Sequence, residues 1–157
     1  MILVTGGAGF IGSNLVAALC ARGDEVVICD RLRTNEKWRN VAKHGFREHV
    51  PPESVVDWLR SRSDVEAVVH LGAFSSTTAT DAVLVFEVNV RFSTALWDAC
   101  AERGVRFIYA SSGATYGDGA NGFDDDPRPD VLAKLRPLNA YGWSKHYFDR
   151  RALAAVD

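Results

Sequence analysis

The sequence predicts an α/β fold in which a doubly wound parallel sheet carries helices on both faces. Three observations support this. Short apolar runs alternate with stretches of helical periodicity, a glycine-rich turn follows the first run, and the runs are apolar throughout, as in strands buried on both sides. At 157 residues, 47% of them hydrophobic, the chain is long enough for one domain with a sizeable core.

The first half of the chain contains two of the predicted strands. Residues 2–4 form a short apolar strand, and the helix that follows the glycine turn ends at Gly23, a residue suited to a helix C-terminus. Residues 26–29 form the second strand. The stretch 31–50 is polar and without clear periodicity, so it carries no prediction.

The second half continues the alternation. Pro51-Pro52 precedes a short helix, residues 67–71 form a third strand, and apolar residues over 85–100 lie on one face of a long helix. Residues 105–110 form a fourth strand, and a last helix begins near Ala140. No strand follows this helix. We therefore expect the N-terminal part of a larger Rossmann-like sheet, truncated before its last strands.

Composition excludes several classes of function. A formal net charge of −2 offers no general attraction to nucleic acid or to an anionic membrane, and no apolar run approaches the roughly 20 residues of a membrane-spanning helix. No signal peptide is recognisable, which favours a cytoplasmic protein. The three cysteines, Cys20, Cys29 and Cys100, form no C-x-x-C pair, so we expect reduced thiols and no metal site.

The turn after the first strand has the pattern of a nucleotide-binding loop. Gly6, Gly9 and Gly12 follow a G-x-x-G-x-x-G spacing between a strand and a helix. Their missing side chains let the backbone approach a pyrophosphate, whose charge is favoured at a helix N-terminus. Asp30 ends the second strand, where a carboxylate can accept hydrogen bonds from ribose hydroxyls. A lone glycine turn would be weak, but all these parts together predict dinucleotide binding.

The residues after Asp30 bear on the choice between NAD and NADP. The carboxylate of Asp30 would repel a 2′-phosphate, which favours NAD. Arg31, Arg33 and Lys37 follow closely and could neutralise that phosphate, which favours NADP. A solvated basic loop is the alternative interpretation. We expect NADP, with NAD possible.

A tyrosine and a lysine near the C-terminus have the spacing of a catalytic pair. Tyr141 and Lys145 lie one helical turn apart on the same face. A neighbouring ammonium stabilises a phenolate, so a tyrosine with an ordinary pKa near ~10 can act as a base. Ser112 follows the fourth strand, where its hydroxyl could reach a substrate oxygen. Alone, the pair is typical of a helix surface and the serine of a cap.

Taken together, the glycine turn, the serine after the strand and Tyr-x-x-x-Lys resemble the extended short-chain dehydrogenase/reductase family over essentially the whole chain. The resemblance implies an NAD(P)-binding Rossmann domain over residues 1–157, without the C-terminal substrate-binding part. It implies that Ser112, Tyr141 and Lys145 are catalytic. The cofactor-binding set that it implies is Gly6, Gly9, Phe10, Ile11, Gly12, Asp30, Arg31, Lys37, Gly72, Ala73, Phe74, Ser75, Ser76, Asn89 and Lys145.

Local differences narrow the choice within the family. Gly113 and Ala114 stand where the dehydratases carry an Asp-Glu pair, so dehydration lacks its acid. Residues 72–78, 110–117 and 137–145 are similar to the ADP-heptose 6-epimerase branch. This likeness implies a nucleotide-sugar epimerase that inverts a secondary alcohol by transient oxidation with bound NAD(P). A second base, a lysine that the branch carries downstream, is absent from this chain.

Two other functions remain open. One is another sugar-nucleotide epimerase or reductase of the same family. The other is a non-catalytic NAD(P)-binding module, because the second half is missing. We expect a nucleotide-sugar partner and a homo-oligomer, and neither nucleic acid nor a membrane as a partner. The acidic run 124–126 is interpreted as a solvated loop rather than a metal site.

Overall fold

Five parallel strands form a single sheet in the computed structural model, which describes residues 1–33 and 36–155. The strands are β1 (Ile2–Thr5), β2 (Val26–Cys29), β3 (Glu48–Val50), β4 (Ala67–His70) and β5 (Arg106–Tyr109). Their order is β3-β2-β1-β4-β5. The order reverses at β1, which is the point where ligands bind in open α/β sheets. The predicted Rossmann-like parallel sheet is confirmed.

The register brings the carboxyl ends of the central strands to one edge. Thr5 pairs with Cys29 of β2 and with His70 of β4, and His70 pairs with Tyr109 of β5. Because parallel strands point the same way, the residues that follow these four all emerge at the same edge. This places the glycine turn beside Asp30.

Helical segments connect and follow the strands. They are α1 (Phe10–Arg22), a 3₁₀ helix (Glu36–Asn40), α2 (Val55–Arg60), α3 (Ala82–Phe86), a π-helical segment (Glu87–Arg91), α4 (Phe92–Arg103), a second 3₁₀ helix (Gly113–Tyr116), α5 (Pro129–Leu132) and α6 (Ala140–Ala154). As predicted, α1 ends at Gly23, which has a φ of 91°. The side chain of Asn139 caps α6 by accepting from the Gly142 N–H at 2.8 Å.

Two features differ from the sequence prediction. The stretch 31–50, which carried no prediction, contains the first 3₁₀ helix and β3, so the predicted third and fourth strands are β4 and β5. The predicted fourth strand is also not buried on both sides: the side chain of Ile108 is 50% exposed. Among the described strands β5 lies at one edge of the sheet, and an edge strand has a neighbour on one side only.

The described chain forms two compact units. The first contains Met1–Gly72 and Ala95–Ala110, and it holds the whole sheet. Its core includes Val16 and Leu19 of α1, packed with Val4, Val26 and Ile28 of the sheet. The helical spacing of the apolar residues in α1 and the apolar strands therefore bury the same surface, as the pattern predicts.

The second unit contains Ala73–Thr94 and the chain from Ser111 onwards. It is helical, and α6 packs against α3, the π-helical segment and the second 3₁₀ helix. Phe148 of α6 is fully buried, whereas Trp143 and Tyr147 remain exposed and contact Phe86 with ring centroids 5.6 and 5.5 Å away.

The cysteines are free in this structure. Cys29 and Cys100 are buried, and burial raises the pKa of each thiol to about 12. Such thiols are protonated and unreactive at neutral pH. Within the described residues, no helix is both long and apolar enough to cross a membrane. No cluster of three or more potential metal-binding side chains occurs among them either.

Candidate functional site

The glycine turn in the first unit is closed by backbone hydrogen bonds. The N–H of Gly6 donates to the carbonyl of Cys29 at 2.7 Å, and the N–H of Gly9 donates to the carbonyl of Gly6 at 2.9 Å. Gly6 has a φ of +68°, and a Cβ there would lie 2.8 Å from the backbone nitrogen of Gly72. Only glycine fits this close approach with that backbone conformation. The turn therefore packs directly against the backbone that follows β4.

The same turn leaves the N-terminus of α1 open. A Cβ at Gly12 would lie 2.1 Å from the Gly6 carbonyl oxygen, so the first turn of α1 sits tightly against the loop. The N-cap residue is Gly9, no side chain caps the helix, and no acidic residue lies in its first turn. Amide groups at such an end lack partners within the helix and attract an anion. The side chains of Phe10 and Ile11 in this turn are exposed.

Asp30 is buried and holds the turn through its carboxylate. Its Oδ2 accepts from the Ala8 N–H at 2.9 Å, and its Oδ1 accepts from the Lys37 ammonium at 2.5 Å. The side-chain amide of Asn40 donates to the carbonyl of Ala8 at 2.9 Å. The peptide groups on both sides of Ala8 are thus fixed from β2 and the 3₁₀ helix after it. Pairing with Lys37 also compensates the burial of the carboxylate.

The side chains of Arg31 and Lys37 bind different partners. The guanidinium of Arg31 forms an exposed ion pair with Glu53 at 2.7 Å, a kind of pair that contributes little to stability and exchanges readily. Lys37 binds Asp30 instead. The sequence predicts that both residues contact a phosphate. Here one of them neutralises the neighbouring carboxylate. Both cofactor contacts stay predictions.

The backbone at the end of β4 is held by a buried hydroxyl. The Oγ1 of Thr5 lies 2.6 Å from Nδ1 of His70 and accepts from the Gly72 N–H at 3.0 Å. These bonds tie the last residues of β1 and β4 together where the glycine turn begins. Thr5 was not predicted as a site residue, and the sequence did not predict its contact with His70. Their register in adjacent strands becomes visible only once the strands pair.

In the second unit, Tyr141 and Lys145 lie one turn apart near the start of α6, as predicted. Lys145 is only 3% exposed. Burial lowers the pKa of its ammonium, and the negative charge of Asp149 partly opposes that effect. A desolvated cation acts strongly on groups beside it because little water screens its charge.

Ser112 precedes the second 3₁₀ helix and caps it. Its Oγ accepts from the Ala114 N–H at 3.1 Å, so the cap occupies a lone pair and not the hydroxyl proton. A Cβ on Gly142 would lie 2.5 Å from the carbonyl oxygen of Ala114. Helix α6 and the 3₁₀ helix therefore touch through backbone, in the same unit that carries Tyr141 and Lys145.

Asn89 lies in the π-helical segment, a distortion that is often found at functional sites. Its Oδ1 accepts from the Phe74 N–H at 2.7 Å, and its Nδ2 donates to the Phe74 carbonyl and to the Ser144 hydroxyl, both at 3.0 Å. Ser144 in turn donates to the carbonyl of Tyr141 at 2.6 Å. Asn89 thus connects the loop after β4 to α6.

These bonds refine the prediction for Asn89. The amide is 1% exposed and its partners belong to the protein, so a role in shaping the site fits it better than direct ligand contact. The predicted contact with a cofactor is untested. In the neighbouring loop, Ala73 and Phe74 are half-buried, whereas Ser75 and Ser76 are exposed.

The sequence matches a known family model along nearly its full length. The model of the NAD dependent epimerase/dehydratase family covers residues 2–157. The chain belongs to this family. The resemblance stated from its motifs is thereby confirmed.

Several curated proteins that are similar to this chain carry the same name. The ADP-L-glycero-D-manno-heptose-6-epimerase of Fusobacterium nucleatum is 44% identical over 95% of this chain and 46% of its own length. The protein of that name from Nitratidesulfovibrio vulgaris (strain Hildenborough) is 46% identical over 95% of this chain and 47% of its own length. The chain therefore spans about half the length of the curated relatives it matches.

Solved structures of family members share the fold. The ADP-L-glycero-D-manno-heptose-6-epimerase of Helicobacter pylori superposes with a TM-score of 0.80 at 29% identity, over 98% of this chain and 50% of that one. A UDP-glucose 4-epimerase from Thermus thermophilus, in complex with NAD, gives a TM-score of 0.77 at 36% identity with the same two coverages. The NAD-dependent character of the family agrees with the predicted dinucleotide site.

Four residues that hold parts of the candidate site in place were not among its predicted residues: Thr5, Asn40, Ser144 and Asp149. Asp149 had a usable signal, because it follows Lys145 at the same four-residue spacing that joins Tyr141 to Lys145. The other three act through hydrogen bonds to residues distant in sequence. The periodicity of apolar residues in the sequence does not reveal such bonds.

Proposed function

We propose that this chain is the NAD(P)-binding part of a nucleotide-sugar epimerase, with an ADP-heptose epimerised at C6 as the substrate. The observation that carries the proposal is that Tyr141 and Lys145 lie one turn apart on α6, with the lysine buried and Ser112 capping the adjoining 3₁₀ helix. The choice of an ADP-heptose as the sugar rests on the names of the relatives that are 44% and 46% identical. Gly113 and Ala114 leave no acid there for dehydration.

The proposed chemistry assigns one task to each residue. Tyr141 handles the proton of the sugar hydroxyl on one face of the sugar. The Ser112 hydroxyl donates a hydrogen bond to the same oxygen, and the Lys145 ammonium stabilises the phenolate. Bound NAD(P) supplies the reversible hydride acceptance on which an epimerisation by transient oxidation depends.

The residues present fit such a cofactor. Gly6, Gly9 and Gly12 form a turn in which a side chain at Gly6 or Gly12 would collide with backbone, next to an uncapped helix N-terminus. We assign the pyrophosphate to this turn. We assign the adenosine ribose to the segment after β2, which begins at Asp30.

We propose NADP as the preferred cofactor. Lys37 neutralises the Asp30 carboxylate, which lowers the repulsion that Asp30 would otherwise exert on a 2′-phosphate. Arg31 can leave its exposed pair with Glu53 to bind that phosphate. The test is calorimetric titration with NADP and with NAD for the wild type and for the double variant Arg31→Ala/Lys37→Ala. The variant should lose the preference for NADP. An unchanged ratio of the two affinities overturns the assignment.

Lys43→Ala is a matched control for that titration, because Lys43 is an exposed lysine near the same loop. The reaction itself is tested by product analysis after incubation with NADP and ADP-D-glycero-D-manno-heptose. Inversion at C6 that disappears in Tyr141→Phe supports the epimerase. Turnover of other nucleotide sugars in preference to the heptose would favour a different epimerase or reductase of the family.

A second candidate is a binding module without catalysis. Saturable nucleotide binding without inversion of any nucleotide sugar would support it. Absence of nucleotide binding by the folded chain would contradict both candidates.

We further propose that the protein self-associates and resides in the cytoplasm. The second unit exposes apolar side chains on α3 and α6, namely Val83, Leu84, Trp143 and Tyr147. Apolar surface of this kind is typical of an interface. The free cysteines are typical of a reducing compartment. Light scattering after size-exclusion chromatography tests self-association, and Trp143→Ser should shift a dimer towards the monomer.

A further inference from the structure

A hydrogen bond joins residues 111–116, the segment that carries Ser112, to the C-terminal half of α6. The hydroxyl of Ser111 donates to Oδ2 of Asp149 at 2.6 Å. Ser111 is the immediate neighbour of Ser112. Asp149 lies one helical turn beyond Lys145 and two turns beyond Tyr141, so all three side chains are on one face of α6.

Together with this bond, a second attachment holds the segment that carries Ser112 against α6. At the other end, Gly142 approaches the carbonyl of Ala114 so closely that a Cβ would lie 2.5 Å from its oxygen. Contacts at both ends restrict how the segment can slide or tilt along the helix. Ser112 lies between these two attachment points in sequence, and its own carbonyl accepts from the Thr115 hydroxyl at 2.8 Å.

Asp149 also acts on Lys145 electrostatically. Burial lowers the pKa of the Lys145 ammonium, and the Asp149 carboxylate is the charged group that raises it. Charged residues on the elements packed against α6 are already paired with each other: Glu87 with Arg91 at 2.9 Å in the π-helical segment, and Asp130 with Lys134 at 3.7 Å, from α5 to the residues after it.

Among the described residues, the remaining titratable groups near this face are basic, phenolic or engaged in capping another helix. On α6 itself, His146 and Arg150 are basic, and burial together with Arg150 lowers the pKa of the His146 imidazole. Asp81 on the N-terminal side of α3 caps that helix by accepting from the Leu84 N–H at 2.9 Å. Tyr116 of the 3₁₀ helix is a phenol that contacts Phe123.

We propose that Asp149 is a positioning residue of the reaction site: it holds the Ser112 segment against α6 through Ser111 and provides the counter-charge that keeps the buried Lys145 protonated. The inference rests on the proposed function, because that function gives Ser112, Tyr141 and Lys145 their roles. A cation at Lys145 is what allows Tyr141 to act as a base, so loss of the counter-charge weakens the base indirectly.

The direct test is an NMR titration of the Lys145 ammonium nitrogen in the chain without nucleotide. The other lysines are Lys37, Lys43 and Lys134, and the Lys145 signal is assigned by its disappearance in Lys145→Met. In Asp149→Asn, which keeps the shape but loses the charge, we expect the acid dissociation constant of Lys145 to rise about threefold or more. Asp130→Asn, which removes another acidic charge of the second unit, should leave it unchanged.

Two further variants separate the two roles of Asp149. Asp149→Glu keeps the charge and should restore the wild-type titration of Lys145. Ser111→Ala keeps the carboxylate but removes the hydrogen bond, so the Lys145 titration should stay close to wild type while the backbone amide signals of 112–116 shift. A merely structural role would give the same Lys145 titration in every folded variant.

A Lys145 titration in Asp149→Asn that coincides with wild type overturns the inference. If that variant does not fold, the wild-type chain decides: the Lys145 nitrogen signal must show an inflection where the Asp149 carboxylate titrates, and its absence overturns the inference equally. Neither measurement involves NADP. Failure of nucleotide binding would therefore count against the proposed function alone, and failure of the lysine titration against Asp149 alone.

Discussion

The side chain of Asn89 offers the sharpest test of how the second unit is held together. Asn89→Ala removes three hydrogen bonds, two to the backbone of Phe74 and one to the Ser144 hydroxyl. Because Asn89 is 1% exposed, water cannot easily replace the lost partner. Each buried polar group left without a partner costs about 1–3 kcal/mol, and relaxation recovers part of this, so we expect a total loss of roughly 2–4 kcal/mol.

The measurement is urea denaturation monitored by tryptophan fluorescence, with circular dichroism as a second probe. Asn121→Ala is the matched control: Asn121 belongs to the same unit, but its side chain makes an exposed bond to the Lys134 carbonyl at 3.0 Å. The control should lose no more than about 0.5 kcal/mol. Equal midpoints for the two variants would refute the idea that Asn89 connects the loop after β4 to α6.

Two further predictions concern the glycine turn and a buried histidine. Gly6→Ala places a side chain at a φ of +68° and 2.8 Å from the Gly72 backbone nitrogen. Because this strain costs roughly 1–2 kcal/mol, NADP binding measured by calorimetry should weaken at least about tenfold. Gly45→Ala is the control, because Gly45 has open space around it and the variant should bind NADP as wild type does; equal weakening in both variants would contradict the role of the turn. Burial lowers the pKa of His146 in the folded chain, so the unfolded chain binds more protons and stability falls as the pH drops below the ordinary value of 6.5. The melting temperature of His146→Gln should therefore fall less than that of wild type between roughly pH 7.5 and pH 5, with His44→Gln as the control, and parallel curves for His146→Gln and wild type would contradict this.

Local patterns predicted much of the fold and of the site. The glycine spacing, the strand before it and the helix after it lie within 22 residues and read directly as a turn for a pyrophosphate. The four-residue spacing of Tyr141 and Lys145 places them on one helix face whatever surrounds the helix. The polar stretch 31–50 failed as a prediction target because β3 has only three residues, too few to show an alternating pattern.

By itself, the sequence determined the α/β class, the glycine turn between a strand and a helix, and the placement of Tyr141 and Lys145 on one helix face, because each depends on backbone geometry over a few residues. Only the tertiary structure decided which partners the charged and polar side chains find: Lys37 with Asp30, Asn89 with Phe74 and Ser144. It also decided the bond between Ser111 and Asp149. Those choices depend on which groups are buried side by side, since a buried polar group must find a partner wherever the fold places one.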